Sequence, residues 1–154
     1  MKSTANTASD HSPGTNELEN EIKTTAKIET YLSKNEEYML TCSLSEHLNT
    51  LLSQKGLKRA DVVRGSLLDR AYVYQIFSGE KTPSRDKLIA IAFGLRLSAD
   101  ETQKMLKLSG NRALYAKDKR DAIILFALHH QKTLADTNDL LFSHDFPVLG
   151  SPNE

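Results

Sequence analysis

From residue 43 onward apolar residues recur at spacings of three and four, and nowhere do apolar and polar positions alternate between hairpin turns. The pattern predicts an all-α fold. Ser43-Leu44-Ser45-Glu46 has the form of a capping box and leads into Leu44, Leu48, Leu51 and Leu52, with Gly56 as terminator. Two short helices follow, about Arg59–Gly65 and Arg70–Ser78, in which Val62, Val63, Leu68, Val73 and Ile76 supply one buried side. Asp69 stands where its side chain can cap the second of them, and Gly79 ends it. A fourth helix opens at Ser84 after Pro83 and stops near Gly94, with a broad apolar face of Leu88, Ile89, Ile91, Ala92 and Phe93. A second capping box, Ser98-Ala99-Asp100-Glu101, opens a fifth helix carrying Met105, Leu106 and Leu108 as far as Gly110.

Two further helices are predicted, Asp118 to about His130 and Thr133 to about Phe142. Their apolar residues, Ile124, Phe126, Leu128, Leu141 and Phe142 among them, need a partner. Either the fifth helix or the same segment of a second subunit would serve. Residues 1–16 are rich in Ser, Thr and Asn and have almost nothing to bury, so a disordered tail is expected there. Residues 17–42 are polar, with scattered apolar positions, and are expected to be partly helical. The domain proper is then 43–110, with 111–154 as a helical extension that could serve dimerisation.

Charge changes this picture where the average hides it. The chain has a formal net charge of zero over its 154 residues. Residues 54–87 nevertheless hold eight cations, Lys55, Lys58, Arg59, Arg64, Arg70, Lys81, Arg85 and Lys87, against four carboxylates. Residues 1–53 are acidic, and 88–154 are balanced. Positive charge is thus gathered on the two short helices and their flanks, as nucleic-acid contact requires. On a helical wheel Arg70, Ala71, Tyr74, Gln75 and Ser78 share an arc of roughly 140°, opposite Val73 and Ile76.

The stretch Leu57–Ser84 resembles the helix-turn-helix of the Cro/C1-type, or XRE, family of transcription regulators, and the following SGEKTPSRDKLIAIAFGLRLSADE carries the likeness furthest. Gly79, Lys81, Pro83, Ser84, Ala90, Ala92 and Gly94 stand in the family's order without a gap, and the resemblance spans Leu44 to about Leu108. It implies a five-helix lambda-repressor-like DNA-binding domain, here with two additional C-terminal helices. It also implies that the helix Arg70–Ser78 enters the major groove of double-stranded DNA, with Arg70, Ala71 and Gln75 facing bases. Arg70 can donate two bonds to guanine, Gln75 can pair with adenine, and the Ala71 methyl can meet that of thymine. Lys58, Arg59, Tyr74, Ser78, Lys81 and Arg85 are the expected contacts to the DNA backbone. Members of this family mostly bind as dimers, so a homodimer through the C-terminal helices is expected.

Three positions depart from the family pattern. Val63 stands for the usual Ala, Leu67 for the usual Gly of the turn, and Phe77 for an acidic residue. A non-glycine residue at positive φ costs roughly 1 kcal/mol or more, so Leu67 predicts a reshaped turn rather than a strained one. The packing side of the helix claims Phe77 and Tyr72 more readily than the groove does.

Other chemistry finds little foothold. The five histidines lack metal-ligand spacing, no glycine-rich phosphate loop or nucleophile elbow is present, and neither an enzymatic activity nor a cofactor or metal is expected. Cys42 is the only cysteine, which agrees with a reducing compartment. With no apolar run of about 18 residues and no leader pattern, a cytoplasmic protein without membrane contact is expected. The competing class is a protein-interaction adaptor, in which Leu67 and the aromatic set Tyr72, Tyr74 and Phe77 would bind another protein. No ligand pocket is legible in the sequence.

Overall fold

The computed structural model describes residues 14–35 and 43–150. Most of the expected tail lies outside them, as does Cys42. The chain divides into two compact units, Met1–Thr41 and Cys42–Glu154. In the first, α1 (Thr15–Thr24) and α2 (Ile28–Lys34) are joined where the Asn35 amide donates to Glu21 at 2.8 Å. Thr15 and Asn16, expected in the tail, open α1 instead.

The second unit contains α3 (Leu44–Gln54), α4 (Arg59–Ser66), α5 (Arg70–Ser78), α6 (Arg85–Gly94), α7 (Ala99–Leu108), α8 (Lys119–His129) and α9 (Leu134–Ser143). All secondary structure among the described residues is helical, and none of these helices is long and apolar enough to cross a membrane. Local chemistry explains where they begin. Both predicted capping boxes form, with Ser43 and Glu46 exchanging bonds at the start of α3 and Ser98 and Glu101 at the start of α7. Asp118 and Thr133 cap α8 and α9 in the simpler fashion.

Helix α6 is the hub. Leu88 through Gly94 are all buried, as expected of a helix that is apolar on every side. It packs against α4, α7 and α9, while α3 supports α5 and α7. The crossing of α4 and α6 is a backbone contact: a Cβ added to Gly65 would lie 2.8 Å from the Gly94 Cα, and one added to Gly94 would lie 2.8 Å from the Val62 carbonyl oxygen.

Residues 111–150 belong to the same compact unit as α3–α7. Ile124, Ala127, Leu128, Leu134 and Leu141 are buried within the chain, so most of the apolar surface that called for a partner finds it intramolecularly. Phe126 and Phe142 remain exposed. Two side-chain amides hold the connecting segments by reciprocal bonds to backbone. Gln103 exchanges bonds of 2.7 and 2.8 Å with Leu114, and Asn138 exchanges two of 2.8 Å with Leu149.

The turn between α4 and α5 departs from expectation. It is not reshaped: Leu67 takes the left-handed conformation, with φ 59° and ψ 19°. The adjoining contacts explain its persistence. Ser66 Oγ accepts the Leu68 N–H at 3.3 Å, and Leu68 is buried, so both neighbours of Leu67 are held in place. Because the Leu67 side chain is half exposed, little packing offsets the conformational cost. Leu67→Gly is therefore expected to raise the unfolding free energy by about 0.5–1 kcal/mol, measured by urea denaturation. A decrease would mean that the leucine side chain itself supports the turn.

Candidate nucleic-acid interface

Helix α5 is fixed at both ends. Asp69 Oδ2 accepts the N–H groups of Ala71 and Tyr72 at 3.1 and 3.4 Å, and the Gly79 backbone closes the helix at φ 87°. Asn49 of α3 adds a brace that no periodicity announces: its amide donates at 2.8 Å to the Phe77 carbonyl and at 2.8 Å to that of Ser45. Val73, Ile76 and Phe77 face the core and are buried. The aromatic at position 77 is thus a core residue, and its neighbour Tyr72 lies half-buried at the core boundary. Partial burial pushes the Tyr72 phenol above its ordinary range.

The opposite side of α5 is open. Arg70, Ala71, Tyr74 and Ser78 are exposed and Gln75 is half-buried, with no hydrogen bond to its side-chain amide among the described residues. The tyrosines organise the cations around this face. Arg59 of α4 and Arg70 both lie over the Tyr74 ring, at 5.5 and 5.9 Å from its centroid, and Arg70 Nη1 donates to the Tyr74 hydroxyl at 3.3 Å. On the other flank Lys81 and Lys87 lie over Tyr72, at 6.0 and 4.7 Å. An exposed cation–π contact contributes about 0.5–1 kcal/mol. A bidentate bond to a base discriminates by about 1–3 kcal/mol. Arg70 can therefore leave Tyr74 for a better partner at little cost.

Lys58 and Arg59 are exposed at the start of α4. Asp61 accepts the Lys58 backbone N–H at 2.8 Å and donates its own N–H to the Lys58 carbonyl at 2.9 Å, while no side chain caps the N–H groups of Arg59 and Ala60, which leaves those two open to an anion. The Ser78 hydroxyl is engaged locally, donating to the Gln75 carbonyl at 3.0 Å and lying 3.4 Å from Glu80, whose carboxylate opposes an approaching phosphate.

Arg85 departs from the expected set of backbone contacts. Its guanidinium turns inward, where Nε donates to the Arg112 carbonyl at 2.8 Å, Nη2 to the Ala113 carbonyl at 3.2 Å, and both Nη1 and Nη2 to Asp121, at 3.3 and 2.9 Å. With those donors committed and 16% of the side chain exposed, Arg85 serves the fold. Lys87, which is not among the DNA contacts expected from the sequence, takes a place beside Tyr72. Only the folded chain could reveal that exchange, since the two lysines and the ring come from three different segments.

Comparison of the chain with protein-family models, with curated proteins and with solved structures gave no match in any of the three.

Proposed function

We propose that this chain is a sequence-specific DNA-binding transcription regulator, repressor-like in action, that reads the major groove with the helix Arg70–Ser78. The observation that carries the reading is the open face of α5. Arg70, Ala71, Tyr74 and Gln75 point away from a core that holds the same helix by Val73, Ile76 and Phe77, and Lys58, Arg59, Lys81 and Lys87 frame that face. The order of helices from Leu44 to Leu108 supports a lambda-repressor-like domain of the XRE type. Arg70 and Gln75 carry the base contacts by hydrogen bonding, and Ala71 by its methyl group. Lys58, Arg59, Lys81 and the Tyr74 hydroxyl grip the backbone. Two copies on half-sites about one helical turn apart complete the proposed mode of binding.

The adaptor reading draws less support. Of its aromatic set, Phe77 is 3% exposed and Tyr74 lies beneath two arginines, so α5 offers no continuous apolar surface to a protein.

Selection of genomic fragments with the full chain, followed by equilibrium titration of the enriched sequence at several salt concentrations, tests the proposal. A DNA binder loses affinity with a log–log slope of about −0.9 per phosphate neutralised. Arg70→Ala is expected to cost about 1–3 kcal/mol and to relax preference at one base-pair position. Lys81→Ala is expected to weaken all sequences alike and to reduce the slope by about 1. Failure to enrich any fragment, or affinity indifferent to salt, overturns the reading.

A further inference from the structure

Away from the α5 face, a cleft of about 780 Å³ opens between α4, the α6–α7 connection and the start of α9. Its volume falls in the range of small-molecule sites, about 300–1,000 Å³. Its walls divide by chemistry. Phe93, Leu97, Leu128 and Leu134, each 8% exposed or less, make an apolar floor. Above it stand Lys55, Arg64, Arg96 and Lys132 against a single lining carboxylate, Asp61, in a chain whose net charge is zero.

Two of those cations are already engaged, Lys55 with Glu101 at 2.8 Å and Arg64 with Asp61. Arg96 and Lys132 form no ion pair among the described residues, and both are exposed at the rim. The Asp61 carboxyl registers the local field. It is held below the ordinary carboxylate range, first by the Lys58 backbone N–H and then by Arg64, Arg96 and Lys58.

The backbone at this rim is costly. Arg96 and Gln131 sit at φ 58° and 54°, each one residue past the C-cap of a helix, where Gly56 and Gly110 occupy the equivalent positions elsewhere. A left-handed residue that is not glycine costs about 1–2 kcal/mol, and such strain gathers at binding sites. At Arg96 the chain thus carries a cation where glycine would be held without strain.

We infer that this cleft binds a small organic anion, an oxyanion head held by Arg96 and Lys132 on an apolar body seated against Phe93, Leu97, Leu128 and Leu134. A free inorganic anion would leave the floor unused, and a neutral apolar molecule would leave the cations unpaired. The first turns of α7 and α9, which start at Ala99 and Leu134 on the cleft wall, add their N-terminal dipoles in the same sense. None of the cleft-lining residues belongs to α5.

The probe is 1-anilinonaphthalene-8-sulfonate, which joins a sulfonate to an aromatic body and fluoresces when bound. Titration into the full chain is expected to show a single saturable site, weakened about tenfold or more in the Arg96→Gln/Lys132→Gln double variant, equivalent to about 1.4 kcal/mol. Affinity is expected to be unchanged in Phe142→Ser, which removes the most exposed aromatic among the described residues. Lys132→Gln alone, at an exposed position, shows part of the loss if the double variant does not fold. Octyl phosphate and octanoate compete through phosphate and carboxylate heads, and the better competitor identifies the head. Binding unaltered by the charge variants, binding lost equally in Phe142→Ser, absence of a saturable site, or displacement by octanol as effective as by either anion overturns the inference.

Discussion

Asp121→Ala is expected to lower the unfolding free energy by about 3–5 kcal/mol in urea denaturation, the cost of breaking a buried ion pair from one side. The Asp121 carboxylate is almost fully buried, accepts two bonds from Arg85 and a third from the Tyr115 N–H at 3.0 Å, and so ties α6 and the 111–118 connection to α8. Alanine leaves the Arg85 charge partly buried beside two carbonyl groups and strips an acceptor from Tyr115. Next to it the same two elements exchange a second pair of opposite sense, Asp86 with Arg120 at 2.9 and 3.0 Å. That pair is more exposed, so it contributes less. A double variant, Arg85→Met/Asp121→Leu, is expected to recover much of the loss, because the penalty comes chiefly from the orphaned charge. An Asp121→Ala protein within 1 kcal/mol of the parent would show that water reaches the pair and screens it.

Gly94→Val is expected to cost about 3 kcal/mol or more, through overpacking that has no route of escape. The first atom of the new side chain would lie 2.8 Å from the Val62 carbonyl oxygen and 3.2 Å from the Ser66 nitrogen. Both are backbone of α4, so no rotamer change relieves the clash. Alanine meets the same atoms but gains about 1 kcal/mol of helix propensity over glycine, so Gly94→Ala is expected to cost less. Gly65→Ala repeats the test from the other helix, since its Cβ would meet the Gly94 Cα. Any relaxation has to push α4 away from α6, and α4 carries Lys58 and Arg59 and leads into the turn before α5. Under the proposed DNA-binding function, loss of stability should therefore be accompanied by weaker DNA affinity even at temperatures where the variant remains folded. An unchanged denaturation midpoint for Gly94→Val would contradict the backbone contact.

Much of the α5 face was legible because it depends on one helix. The Asp69 cap, the Gly79 terminus and the separation of Val73 and Ile76 from Arg70, Ala71 and Gln75 all follow from spacing of 3.6 residues per turn. Arg85 was misread for the converse reason. It is a cation in the basic stretch with nothing nearby to claim it, and its partner lies 36 residues later in the chain. Lys87, Asn49 and the cleft were missed on the same grounds, each requiring segments that only the packing of the helices brings together.

The amino-acid sequence alone determined that the chain is helical, where those helices begin, and which side of each is apolar, because capping bonds and helical periodicity act within a few residues. Tertiary structure decided which cations turn inward, how closely α4 meets α6, that Leu67 keeps the left-handed turn, and that the last two helices complete the same core. Those outcomes are set by steric fit and by pairing of charges between distant segments, and neither leaves a periodic trace along the chain.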